Sequence, residues 1–213
     1  MKRILPCVLL AELILLLLAC SFDSKGSPIT AYSNPTKALV VLGVQKDFTA
    51  ETARMPVEKD SVSSMINNIN SVQQKFKANN LAIIYVRNVF SRWDIVANLF
   101  RHRAAVKGSP GIDFDPRLHL LDDARFTKSA PDMFSNHVLE NFLVQHQISS
   151  LYITGLFADQ CAYWSSKSAL NRKYSVVVIS DAVAAASRKI ADSALARLQD
   201  LGATVKTTEQ IMH

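Results

Sequence analysis

The sequence predicts an α/β fold, a three-layer, doubly wound, mostly parallel sheet with helices on both faces. Short aliphatic and β-branched runs recur at residues 38–42, 81–86, 151–154 and 174–179, and they lack the polar alternation of a half-exposed strand. Between them lie stretches whose apolar residues repeat at helical spacing, which is the alternation that builds parallel sheets. With 213 residues, 49% of them apolar, the chain can bury one large core.

Residues 38–42, ALVVL, form a central strand that ends at Gly43, and the chain then leaves for a loop reaching Pro56. Between 57 and 79, Val62, Met65, Ile66, Ile69, Val72 and Phe76 mark one helical face, and Asn79–Asn80 stops the helix. A second strand covers 81–86. Residues 87–121 are irregular, with a helix around 95–100 and a Gly108-Ser109-Pro110-Gly111 turn; long connections of this kind often border a site. A short third strand is expected at 125–128, then a helix over 131–147 with Val138, Leu139, Phe142 and Leu143 inward. The strand at 151–154 is broken by Gly155, and Asp159 is the expected N-cap of the next helix, which carries Ala162, Ser165, Ala169 and Leu170. After the strand at 174–179 come a helix over 187–201 with Ile190, Ala194, Leu195 and Leu198 on one face, a short strand at 203–206 and a helical turn at 207–212.

The net charge is +6, but Lys and Arg are scattered without a run or an aromatic-interleaved patch, so solubility rather than nucleic-acid binding explains it. At the N-terminus Lys2 and Arg3 precede an apolar run from 4 to 19, interrupted by Glu12, that is short for a membrane span and fits a secretory signal. Leu17-Leu18-Ala19-Cys20 resembles the lipobox of bacterial lipoprotein signals. The expected organisation is therefore a signal peptide at 1–19, lipid on Cys20, a flexible tether over 20–36 and a catalytic-type domain over 37–213, held at the membrane of a bacterial cell envelope. An ordinary signal peptide or an uncleaved anchor is the alternative. Cys7 would leave with the signal and Cys20 would be alkylated, making Cys161 the single free thiol.

Cys161 falls in the first turn of its helix, where free N–H groups and the helix dipole favour a thiolate, the nucleophilic form of cysteine. On residues alone, a lone Cys at a strand-to-helix junction is more often a small buried hydrophobe. Sites of open parallel sheets lie at the carboxyl ends of strands, and Gly43, Lys128 and the turn 156–161 all stand at such ends. No glycine-rich phosphate-binding loop follows the first strand.

The segments ALVVLGVQKDF, RFTKSAPDMFSN, LYITGLFADQCAYWSSKSAL and YSVVVISDAVAA, in this order, resemble the isochorismatase-like cysteine hydrolases. The resemblance implies a Rossmann-like fold and a site built from an Asp ending the first strand, a Lys after the third and a Cys at the turn after the fourth. Carried over, the nucleophile is Cys161 and its charge partner Lys128; the backbone N–H groups of Phe157 and Cys161 form the oxyanion hole, and Leu156–Phe157 is a non-proline cis peptide. The Asp position holds Gly43. Asp47 has the same strand parity but lies about 13 Å along an extended chain, so it is read as a loop-capping carboxylate; water or neutral Lys128 is left to relay the proton. Keeping the Cys while losing the Asp argues against vinyl-ether cleavage and for a small amide or related C–N bond; the alternative is a lapsed member that binds a small carbonyl or carboxylate ligand. Nicotinamidases carry metal-binding Asp and His after the second strand, where Arg87 and Asn88 stand here, and His102 and His119 lack ligand spacing, so neither a metal nor another cofactor is expected. Trp93, Phe134, Tyr163 and Trp164 are the candidates for lining a pocket, Phe134 and Trp164 being near Lys128 and Cys161 in sequence. The family often forms oligomers, so a homo-oligomer is compatible with the sequence.

Overall fold

The computed structural model describes residues 24–121 and 124–213. The expected signal segment, Cys7 and the expected lipidation site Cys20 lie outside the described residues.

Six parallel strands form one sheet in the order β3-β2-β1-β4-β5-β6, with β1 at Thr36–Leu42, β2 at Ala82–Asn88, β3 at Ala124–Lys128, β4 at Ile148–Leu156, β5 at Ser175–Ala184 and β6 at Thr204–Lys206. The helices are α1 (Lys46–Thr49), α2 (Lys59–Ala78), α3 (Ile95–Phe100), α4 (His137–Gln145), α5 (Tyr163–Asn171), α6 (Arg188–Asp200) and α7 (Thr208–Met212). The doubly wound architecture is as the sequence predicts. Strand alternation divides the core into two layers. Leu39, Val41, Ile83 and Tyr85 face α2, whose Met65, Ile66 and Ile69 are buried against them. Val40, Leu42, Ile84, Val86, Ile153 and Val178 face α4, α5 and α6, whose Leu143, Ala169 and Leu198 close the second layer.

The winding reverses between β1 and β4, so the carboxyl ends of these two strands diverge into opposite connections and leave a crevice. Gly155 lets the two strands approach there. It adopts φ +98°, and a Cβ at this position would collide with the Leu42 carbonyl oxygen, so β4 continues through the glycine to Leu156 instead of breaking at it.

Three local expectations are corrected. The helix predicted over 131–147 starts at His137, because Asp132 caps a separate 3₁₀ turn at Met133–Ser135 and the Asn136 side chain caps α4 by accepting from Val138 and Leu139 N–H. Val138, on the first turn of α4, is 68% exposed rather than inward. Asp159 is not an N-cap. It sits inside a single π-helical turn, Ala158–Ala162, whose N-cap is Phe157, and α5 follows directly.

Residues 24–35, within the stretch expected as a tether, run along the domain: Ser24 Oγ donates to Asp132 Oδ2 at 2.7 Å, and Ile29 N–H donates to the Arg172 carbonyl at 2.8 Å. Helix α3 is mostly exposed, with Ile95, Val96, Leu99 and Phe100 all at 70% or more.

Candidate active site

β2 and β3 pair in parallel with Asn88 opposite Lys128, so the last residues of two adjacent strands point to the same face of the sheet. Lys128 is buried, and its ammonium has three acceptors: Asn88 Oδ1 at 2.7 Å, the Ala130 carbonyl at 2.8 Å and Cys161 Sγ at 3.0 Å. Two of the three are neutral carbonyl oxygens. A buried charge requires a compensating charge, and the sulfur is the one contact able to supply it. The ammonium's three N–H groups thus match its three acceptors one to one.

Asn88 is positioned by a residue from another strand end. Gln45, fully buried, accepts from the Asn88 N–H at 2.6 Å and donates to the Asn88 carbonyl at 2.9 Å and to the Ile112 carbonyl at 3.0 Å. This clamp fixes the backbone at the end of β2, so the Asn88 amide oxygen is held on Lys128, and Asn88 Oδ1 lies 3.7 Å from Cys161 Sγ. Asn88 and Gln45 are site residues that motif reasoning missed. The parity of β2 and β3 carried the signal, but the register between them did not.

Cys161 sits on the π-helical turn after β4, where Gln160 and Ala162 N–H both donate to the Phe157 carbonyl at 3.0 Å. The Leu156–Phe157 peptide is cis, as the resemblance implies. Gly43 ends β1 at φ +62°, and a Cβ there would stand 3.1 Å from Asn88 Nδ2 and from the Leu156 carbonyl oxygen. Asn88 and the Leu156 carbonyl thus crowd the room that a side chain at position 43 would require. Asp47 is buried and spends its carboxylate elsewhere: its Oδ2 accepts the Ala105 N–H at 2.7 Å and its Oδ1 faces Arg54 at 3.7 Å, the loop-capping role expected of it.

An open cleft of 920 Å³ reaches Lys128 across the ends of β2 and β3. Trp93 lines it, but Phe134, Tyr163 and Trp164 do not. Phe134 is buried between Tyr174 and the Arg172 guanidinium, Tyr163 is buried with its hydroxyl accepting from Arg197, and Trp164 stacks edge-on against Tyr163. Sequence proximity misleads because the helical turn packs these rings against the core layer, while the end of β3 places the buried Lys128 at the floor of the cleft. Among the described residues, no three His, Cys, Asp or Glu side chains converge as metal ligands.

The isochorismatase domain family matches residues 37–210. The chain belongs to the isochorismatase family. The "Probable inactive nicotinamidase" of Arabidopsis thaliana is 25% identical over 184 residues, covering 81% of this chain and 93% of that protein. Two solved structures share the fold. Nicotinamidase PncA from Bacillus subtilis superposes with a TM-score of 0.73 at 22% identity, over 80% of this chain and 99% of that one. N-carbamoylsarcosine amidase from Thermoplasma acidophilum superposes with a TM-score of 0.70 at 24% identity, over 82% of this chain and 97% of that one.

Proposed function

We propose that the chain is a cysteine hydrolase of a small amide or related C–N bond, with Cys161 as nucleophile and Lys128 as both charge partner and proton carrier. The observation that carries this reading is the buried Lys128–Cys161 contact of 3.0 Å, whose other hydrogen-bond partners among the described residues, Asn88 and Ala130, are not carboxylates. The Cys161 thiolate attacks the substrate carbonyl carbon, and the oxyanion is received by the N–H groups of Phe157 and Cys161. As the C–N bond breaks, the Lys128 ammonium gives its proton to the departing nitrogen. Water then attacks the thioester while neutral Lys128 takes the water's proton; the acid leaves, and thiolate and ammonium are restored. With Gly43 in place of a carboxylate, the rate lacks the contribution of a dedicated base, typically about 10²–10⁴-fold.

The test is amide turnover over a panel of small amides, with the acyl-enzyme trapped by hydroxylamine. Turnover and trapping are expected to vanish in Cys161→Ala and to fall at least about 10²-fold in Lys128→Met, which keeps the stem and removes the proton carrier. Gly43 and its neutral neighbour Asn88 favour a second reading, in which the pocket binds a small carbonyl or carboxylate ligand without chemistry. Ligand binding that survives in Cys161→Ala, with no acyl-enzyme in the unaltered protein, would establish it.

We also propose that the mature chain carries lipid on Cys20 and works in a bacterial cell envelope, a reading supported by Lys2-Arg3, the apolar run and Leu17-Leu18-Ala19-Cys20.

A further inference from the structure

The cleft that reaches Lys128 is lined by Arg87, Arg92 and Lys107 as well, and by no Asp or Glu. None of these three cations has a side-chain hydrogen bond or ion pair among the described residues, whereas the neighbouring Arg101 is paired with Asp94 and Arg117 with Asp115. Three unneutralised cations around one concavity attract an anion, and a guanidinium is matched in shape to a carboxylate. Phe90, Trp93 and Val138 add apolar wall beside them.

We infer that the substrate is an amide bearing a carboxylate, held by Arg87, Arg92 and Lys107 while its carbonyl is presented to Cys161. This deepens the hydrolase reading and rests on it. The cations explain why a cleft so open still selects. The charge fixes one end of the substrate, and the distance from the cleft wall to Lys128 decides which bond meets the sulfur.

The experiment compares two probes of nearly equal size, iodoacetate and iodoacetamide, on the full chain. Each alkylates by forming a carbon–sulfur bond as iodide leaves, and labelling is read on the Cys161 peptide by mass spectrometry. The iodoacetate-to-iodoacetamide rate ratio is expected to exceed that of glutathione severalfold. It should fall by about threefold for each of Arg87→Met, Arg92→Met and Lys107→Met, the effect of one charge several ångströms away in a watery cleft. The triple variant and added salt should both bring it to the glutathione value, and Arg188→Met, on the remote α6, should leave it unchanged. A ratio indifferent to all three cleft cations, with Cys161 still labelled, would overturn the anionic-substrate inference and spare the hydrolase reading. If neither reagent labels Cys161 in the folded chain, both fall.

Discussion

Asn88 meets the Lys128 amine with an oxygen that carries no charge and takes no proton, 3.7 Å from the sulfur. Replacing it by Asp changes one atom and places a proton acceptor within reach of both groups. Gly43→Asp, the substitution that the sequence alone suggests, must instead hold a side chain at φ +62° against Asn88 and the Leu156 carbonyl. That backbone region costs an L-residue roughly 1–2 kcal/mol. Asn88→Asp is therefore expected to raise amide turnover more than Gly43→Asp does, by about tenfold or more given the worth of a positioned base. Steady-state rates of the two variants on one amide decide it, and a larger gain in Gly43→Asp would show that the Asn88 oxygen is badly aimed. The family resemblance pointed to Cys161 and Lys128, and the fold brings them to 3.0 Å. Asn88 was not legible in the sequence, because its role depends on lying opposite Lys128 across two strands.

The elements around the site are tied by two buried carboxylates that respond to pH in opposite directions. Asp115 joins the β3 approach to α1. Burial pushes its carboxyl up, but hydrogen bonds from Arg117 and Thr49, with the Arg117 charge, outweigh this and hold it below 3.8. Its folded form prefers the anion, so its stabilisation is full above the ordinary carboxylate range and is lost as pH falls through the lowered value. Asp132 joins the turn before α4 to α5 and the N-terminal stretch through Ser168 and Ser24. There burial wins over the hydrogen bonds from Ser24, Phe134 N–H and Ser168, and the carboxyl is raised above 3.8. Its folded form prefers the proton, so its contribution is full below 3.8 and is lost as pH rises through the raised value. Asp115→Asn should cost about 2 kcal/mol at pH 7 by urea unfolding, whereas Asp132→Asn should match or exceed the unaltered protein there. The two curves should converge on that of the unaltered protein only in strong acid. Strand positions were legible because buried parallel strands read as unbroken apolar runs. The start of α4 was not, since Asp132 and Asn136 each offer a cap and only packing selects between them.

Over the whole molecule, parallel pairing brings the carboxyl ends of β1, β2, β3 and β4 to one edge of the sheet, and this convergence was readable from the strand and helix alternation. The positive cleft was not readable, because Arg87, Arg92 and Lys107 look scattered in sequence and only folding leaves them together without carboxylates. Among the described residues no helix is long and apolar enough to cross a membrane. Cys20→Ala is expected to move the protein from the membrane to the soluble fraction; unchanged fractionation would remove the lipid reading.

Ser24 is fastened to Asp132 and its carbonyl accepts from Arg172 at 2.9 Å, only four residues after Cys20. Four residues of chain reach about 14 Å at most. A lipid on Cys20 would then act as a short mooring rather than a leash. The flank bearing Asp132 and Ser168 would sit against the bilayer, and solutes would enter the cleft from a fixed side of the membrane surface.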